Sequence, residues 1–217
     1  LAHPWSAGRP AVRARLLAQS ASVLSDAGRL GAAAAHSAEA LGLAERSGDP
    51  EAVVDAVRAR MKAGPTALPR DERLRLGLLA IEHAAATGQP LAELWGAKWR
   101  IDAALEAGDT ATAEDELARV TALARRTRLP LVRWHDLRLR ASVAALYGRF
   151  DEAVALNDAA RVVGETELAQ DVSAAGLSGA FLYQHALVTG RRMDLDGSPV
   201  ALLRLADEVP IVQASRA

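Results

Sequence analysis

The 217-residue chain contains no cysteine. Disulfides, thiolate metal sites and cysteine nucleophiles are thereby excluded. Aromatic residues make up 4% of the chain, against 50% for all hydrophobic residues. A core must therefore be built from Ala, Leu and Val. Side chains this small let helices approach closely and suit stacked helical pairs better than a sheet sandwich. Alternating β-branched runs are missing, so strands are not expected. No apolar run approaches the roughly 18 residues of a membrane span, and no signal peptide is visible. With no membrane segment and no thiols, a cytoplasmic location is expected. Lysine occurs only at Lys62 and Lys98, beside many arginines. With abundant Ala and Gly, that is the codon bias of a GC-rich genome, which speaks to origin and not to function. Charges of both signs are interspersed and the formal net charge is −1. A basic surface for direct nucleic-acid contact is not expected.

What is present is a period. Gly28, Gly64, Gly108, Gly148 and Gly190 recur, a little unevenly, about every 40 residues. Each follows an apolar-periodic helical stretch. A glycine recurring at such a period between two helices is the mark of a helix-turn-helix solenoid. Apolar pairs two helical turns apart support it: Ala33 with Ala40, Leu74 with Ile81, Ala113 with Val120, Ala153 with Ala160. The pattern predicts one helical-repeat domain over 1–217, with hairpins at about 10–47, 50–87, 90–128, 130–165 and 167–209. Asp49 is expected to cap a helix that Pro50 opens. Asp109 or Thr110 is expected to cap after Gly108. Residues 65–69 read as a loop insertion. The fifth hairpin is expected to start near Glu167 and run unbroken to Thr189. A short last helix is expected from Pro199 to Val209.

These residues resemble the tetratricopeptide family. Gly28-Arg29-Leu30 with Ala33, Ala40 and Leu41 looks like its glycine, bulky, small and Ala-Leu pattern. Gly148-Arg149-Phe150-Asp151-Glu152-Ala153 with Ala160 is the nearest match. The family unit is about 34 residues, so the helices here are longer. Longer units of this kind resemble the helical sensor region of large ATP-dependent LuxR-type bacterial activators, such as the maltose-regulon activator. Glu114-Asp115-Glu116-Leu117, Leu131-Val132-Arg133-Trp134 and Gly148 to Ala153 carry that likeness. The resemblance implies an all-α, tetratricopeptide-like, right-handed superhelical solenoid of about five hairpins. It also implies an ATPase module before this region and a DNA reader after it. Neither is seen in this chain, which has no GxxxxGK[ST] phosphate loop. Because it opens at Leu1 and not at Met, the chain is read as a fragment of a longer regulator.

The resemblance further implies that the first helix of each pair lines a concave face. Counting back from each turn glycine selects the lining positions. They give Arg58; Trp95, Trp99 and Asp102; His135, Arg138 and Ser142; and Leu177, Phe181 and Gln184. Trp95 and Trp99 lie one turn apart and share a face. In so aromatic-poor a chain they suggest a wall for an apolar ligand. The expected ligand is a small, largely apolar effector or a short protein segment. A pure protein-interaction scaffold using the same groove is the alternative.

Trp134 falls on the packing side. His135 and Asp136 point about 100° apart on a helix and cannot form a dyad. No metal-binding spacing such as HExxH occurs, and neither cofactor nor catalysis is expected. Glu114, Asp115 and Glu116 are expected to face water near a helix start. Gly176 and Gly179 suggest close helix packing, or space beside Phe181. The apolar positions Leu202, Leu203, Leu205 and Val209 are expected to meet another chain or a downstream repeat; a homo-oligomer joined through that last repeat is one form this takes.

Overall fold

The computed structural model describes residues 8–64, 68–168 and 172–190. Among them are nine α-helices and no strand. The helices are α1 (Pro10–Asp26), α2 (Leu30–Ser47), α3 (Pro50–Ala63), α4 (Arg70–Thr87), α5 (Pro90–Glu106), α6 (Thr110–Thr127), α7 (Pro130–Leu146), α8 (Phe150–Glu167) and α9 (Val172–Thr189). The expected all-α class is observed. Leu202, Leu203, Leu205, Val209 and the expected last helix lie outside the described residues.

The helix starts keep a stricter period than the glycines do. The first helices α1, α3, α5 and α7 open at Pro10, Pro50, Pro90 and Pro130, evenly spaced along the chain. The second helices α2, α4, α6 and α8 open at Leu30, Arg70, Thr110 and Phe150, with the same spacing and equal lengths. Proline suits a first helical position because its missing N–H has no partner there anyway. Asp49 caps α3 by accepting from the Ala52 N–H at 2.8 Å. Asp109 caps α6, accepting from the Thr112 N–H at 3.1 Å and the Thr112 hydroxyl at 2.7 Å. The second helices end on a left-handed residue at Gly48 and Gly88; Arg128 does the same at φ 53° without being glycine.

Three sequence readings need correction. First, the segment after Gly64 is not an insertion. α4 opens at Arg70, in register, while α3 stops after 14 residues where α1, α5 and α7 run 17. α3 is shorter by about one helical turn, and the stretch between it and α4 adds no length to the period. Gly64 has an extended φ of 171°, unlike the left-handed Gly28, Gly108 and Gly148. It is therefore not their counterpart, and positions counted back from it are displaced by about one helical turn. Second, Glu167 ends α8; α9 starts at Val172. Third, Glu116 does not face water. It is 5% exposed, with Arg100 at 2.6 Å and Arg119 at 3.0 Å. Its neighbours Glu114 and Asp115 are exposed, as expected.

The chain divides into two compact units, Leu1–Leu123 and Ala124–Ala217. In the first, α1 to α4 enclose one apolar cluster that includes Leu17, Val53, Val57, Met61, Leu68 and Leu76. Val54, Ala84 and Ala92 join α3, α4 and α5. In the second, Trp134, Ala160, Val163 and Ala174 form the core shared by α7, α8 and α9. One inward position recurs in the second helices as a small residue: Ala33, Ala113 and Ala153 are fully or almost fully buried. The fourth member of that register is Arg73, only 8% exposed. Its Nη1 donates to Glu106 Oε1 at 2.8 Å, and its Nη2 donates to the other carboxylate oxygen. This bidentate contact holds the Glu106 carboxyl below its usual pKa.

α4 and α5 cross through a pair of glycines. A methyl group on Gly96 would lie 2.5 Å from the Gly77 carbonyl oxygen, and one on Gly77 would lie 2.8 Å from the Gly96 carbonyl oxygen. Backbone cannot yield as a side chain does. Gly176 in α9, by contrast, has nothing within 4 Å.

Gly96→Ala should destabilise the chain by about 1–3 kcal/mol in urea denaturation through overpacking. Gly176→Ala should be neutral, or stabilising by up to about 1 kcal/mol through helix propensity. The Arg73–Glu106 pair gives a pH signature. A carboxyl whose folded pKa is depressed contributes stability above its unfolded pKa and loses it as pH falls through the folded one. The Tm difference between wild type and Glu106→Gln should thus be full at neutral pH and shrink as pH falls below the usual glutamate value, reaching zero once Glu106 protonates.

Candidate functional site

On α5, Trp95, Lys98, Trp99 and Asp102 recur at three- and four-residue spacing and form one stripe. All four are half-buried. Lys98 donates to Asp102 at 2.7 Å. Trp99 packs against the cluster of α1 to α4, so one side of its ring is committed to the core. Arg58 on α3 is exposed and makes no hydrogen bond or ion pair among the described residues. The corrected register makes it the counterpart of Lys98 and Arg138, not of Asp102 and Ser142. Its neighbour Asp55 is held by Arg15 of α1 at 2.9 Å. Arg15 and Asp55 are themselves one full period apart, so the ion pair joins equivalent positions of α1 and α3.

In the second unit, α7 places Trp134, His135 and Arg138 together. Trp134 is 2% exposed, the core position the sequence assigned to it. His135 stands edge-on to it at 4.6 Å between ring centroids. The Arg138 guanidinium lies 4.7 Å from the Trp134 ring centre, a cation–π geometry. Its Nη1 lies 3.4 Å from His135 Nδ1; a guanidinium only donates, so Nδ1 must accept there. His135 is 4% exposed and so sits within the packing of α7, not on an open wall. Ser142 is exposed. On α9, Leu177 and Gln184 are exposed and Phe181 is half-buried. Phe181 stacks on His185 at 6.4 Å, and Phe150 meets the same ring edge-on at 5.6 Å.

The structure thus gathers Trp95, Trp99 and Asp102 on one helix stripe and His135 with Arg138 on another. Leu177, Phe181 and Gln184 follow one another along α9. No group of three or more His, Asp or Glu side chains suited to a metal ion occurs among the described residues. The sequence reading missed a set of buried polar atoms without partners. Trp134 Nε1, Asn157 Nδ2, Ser178 Oγ and His185 Nε2 all belong to the second unit. A signal existed for Asn157. It lies in register with Ser37, Gly77 and Leu117, an inward position where a carboxamide stands out. Ser37 solves the problem locally by donating to the Ala34 carbonyl at 2.9 Å.

Compared with known proteins, the chain matches no protein-family model, no curated protein and no solved structure.

Removing the Trp134 ring should cost about 3–5 kcal/mol, the usual loss for a buried aromatic truncated to alanine. Arg138→Ala removes the cation over that ring together with its contact to His135 and should cost about 0.5–2 kcal/mol. Urea denaturation of the two variants checks both the order and the gap.

Proposed function

We propose that this chain is the effector-sensing region of a bacterial transcription regulator, resembling the helical sensor of the ATP-dependent LuxR-type activators. In this reading the helix pairs stack as a right-handed, tetratricopeptide-like solenoid of about five hairpins. The first helices line its concave face. A small, largely apolar molecule, or a short protein segment, lies against the α5 stripe. Trp95 and Trp99 supply the apolar wall, and Arg58 and Asp102 supply orienting charge. In the second unit, taken by itself, Arg138, Ser142, Leu177, Phe181 and Gln184 are the candidate contacts, while His135 is enclosed in the packing of α7. The region performs no catalysis and touches no nucleic acid. It transmits binding to the ATPase and DNA-reading parts of a longer cytoplasmic protein.

One observation carries this reading. In a chain with 4% aromatic residues, two of the four tryptophans share one half-exposed stripe. A tryptophan needed only as filler would be enclosed, as Trp134 is. The same stripe lies on a scaffold class whose ordinary use is binding. A pure protein-interaction scaffold draws support from a different feature. Arg58 and Lys98 stand at equivalent positions of α3 and α5 in the first unit, a cationic pair that suits an acidic or C-terminal peptide segment.

The two readings separate in one experiment. The chain is screened against a metabolite library by tryptophan fluorescence and thermal melting, with Trp95→Ala and Arg58→Ala in parallel. A small-molecule sensor gives a compound that quenches fluorescence and raises Tm by about 3–6 °C at tenfold excess over Kd. Both responses are lost in Trp95→Ala. A screen with no such compound, on folded protein, defeats the small-molecule reading and leaves the scaffold.

A further inference from the structure

The partnerless polar atoms of the second unit are not scattered. Trp134 Nε1 points at the junction of α8 and α9: it would be 3.6 Å from a methyl on Gly164, which would itself be 3.2 Å from the Ala174 methyl. Ser178 lies one turn along α9 from Ala174 and Asn157 two turns back along α8 from Gly164, so each shares its helix face. Further along the same junction, Phe150 of α8 meets His185 of α9. Phe150 stands two turns before Asn157, and His185 two turns after Ser178. The two flanking contacts give α8 and α9 an antiparallel register in which Asn157 and Ser178 fall at neighbouring levels along the two helices.

Asn157 and Ser178 are each 1% exposed, and Trp134 is 2% exposed. Trp134 Nε1, Asn157 Nδ2 and Ser178 Oγ have no hydrogen-bond partner. A buried donor left unpaired costs about 1–3 kcal/mol, and native proteins hold only a few such groups per hundred residues. Here three lie along one short seam. Their chemistry is one-sided. The indole N–H and the carboxamide NH₂ only donate, and the serine hydroxyl donates readily. None carries charge. Such a set wants acceptors first: two of its three atoms can only donate, and the hydroxyl can do either. A carboxylate would add the desolvation cost of its charge to whatever the donors return. A neutral carbonyl oxygen satisfies the donors without it.

We propose that the seam between α8 and α9 is a binding site for a small uncharged molecule bearing amide or ketone oxygens, held by Trp134 Nε1, Asn157 Nδ2 and Ser178 Oγ. The site is separate from the α5 stripe, so loss of either leaves the other intact.

The test uses the whole chain, labelled with ¹⁵N. The Trp134 indole N–H signal is assigned with Trp134→Phe and followed during titration with acetamide and 2-pyrrolidone, with sodium acetate as the charged comparator. The site predicts a saturable movement of that signal with the two neutral amides and none with acetate. It also predicts Kd at least tenfold weaker in both Ser178→Ala and Asn157→Leu. No saturable shift with either amide in the wild-type chain overturns the proposal. So does an unchanged Kd in the two variants, or a shift as large with acetate. If Ser178→Ala and Asn157→Leu raise Tm while the wild-type signal ignores all three probes, the seam is a dry contact with unpaired donors and not a site.

Discussion

Close approach of helix backbones is the constraint on which the rest of this structure depends. Each second helix turns a row of small side chains inward, such as Ala33, Ala40 and Ala44 in α2, and Ala153, Ala160 and Gly164 in α8. Alanine brings little apolar area to a core, so stability must come from many short contacts made at small separation. Where separation shrinks furthest, at Gly77 and Gly96, even one methyl has no room. A fold made this way tolerates little variation in spacing. The strict period of the helix starts is the sequence-level expression of that intolerance.

The same constraint explains why the large residues matter. A bulky side chain in an alanine-lined interface is either filling a gap or serving another purpose. Trp134 fills a gap where three helices meet. Arg73 occupies an alanine's place in the period whose first helix is a turn short, and reaches Glu106 on α5. Trp99 leans on the cluster that includes Met61 and Leu68, from that same shortened period. Trp95 and Arg58 are not enclosed in this way; one is half-exposed and the other exposed.

Much of the architecture is legible because local chemistry repeats. Proline at the first helical position, aspartate before it and glycine after the helix mark boundaries without any tertiary information. Gly64 misleads for a simple reason. A glycine is no fixed ruler mark, and in the second period it stands in extended backbone about one helical turn early. Proline and the helix starts are the better ruler. Glu116 misleads because its neighbours Glu114 and Asp115 suggest a solvated run, whereas its register with Leu76 places it inward. His135 follows from counting back from Gly148. Counting along a helix cannot distinguish a residue on an open wall from one slightly further round, wedged against Trp134. The unpaired donors are invisible in the sequence because satisfaction is a property of what lies opposite, and no single sequence shows that.

Charge in this chain follows a different logic from packing. Most of the ion pairs among the described residues lie near the surface, as between Arg13 and Glu39 or Arg75 and Glu45, where solvent leaves an ion pair worth about 0–1 kcal/mol. They tie neighbouring helices together at their rims more than they stabilise the core. Two of the most enclosed charges are well matched: Glu116 between two arginines, Arg73 against one carboxylate. Against that pairing, the unpartnered polar atoms of the second unit stand out. Among the described residues, the first unit leaves one buried side-chain atom, Arg73 Nε, without a partner, and the second leaves four. A seam that is costly when empty and satisfied when filled is a seam whose closure depends on its occupant. In a fold held by many short-range contacts, tightening one helix against the next changes the surface offered to whatever packs beside them. Binding and helix packing then draw on the same contacts.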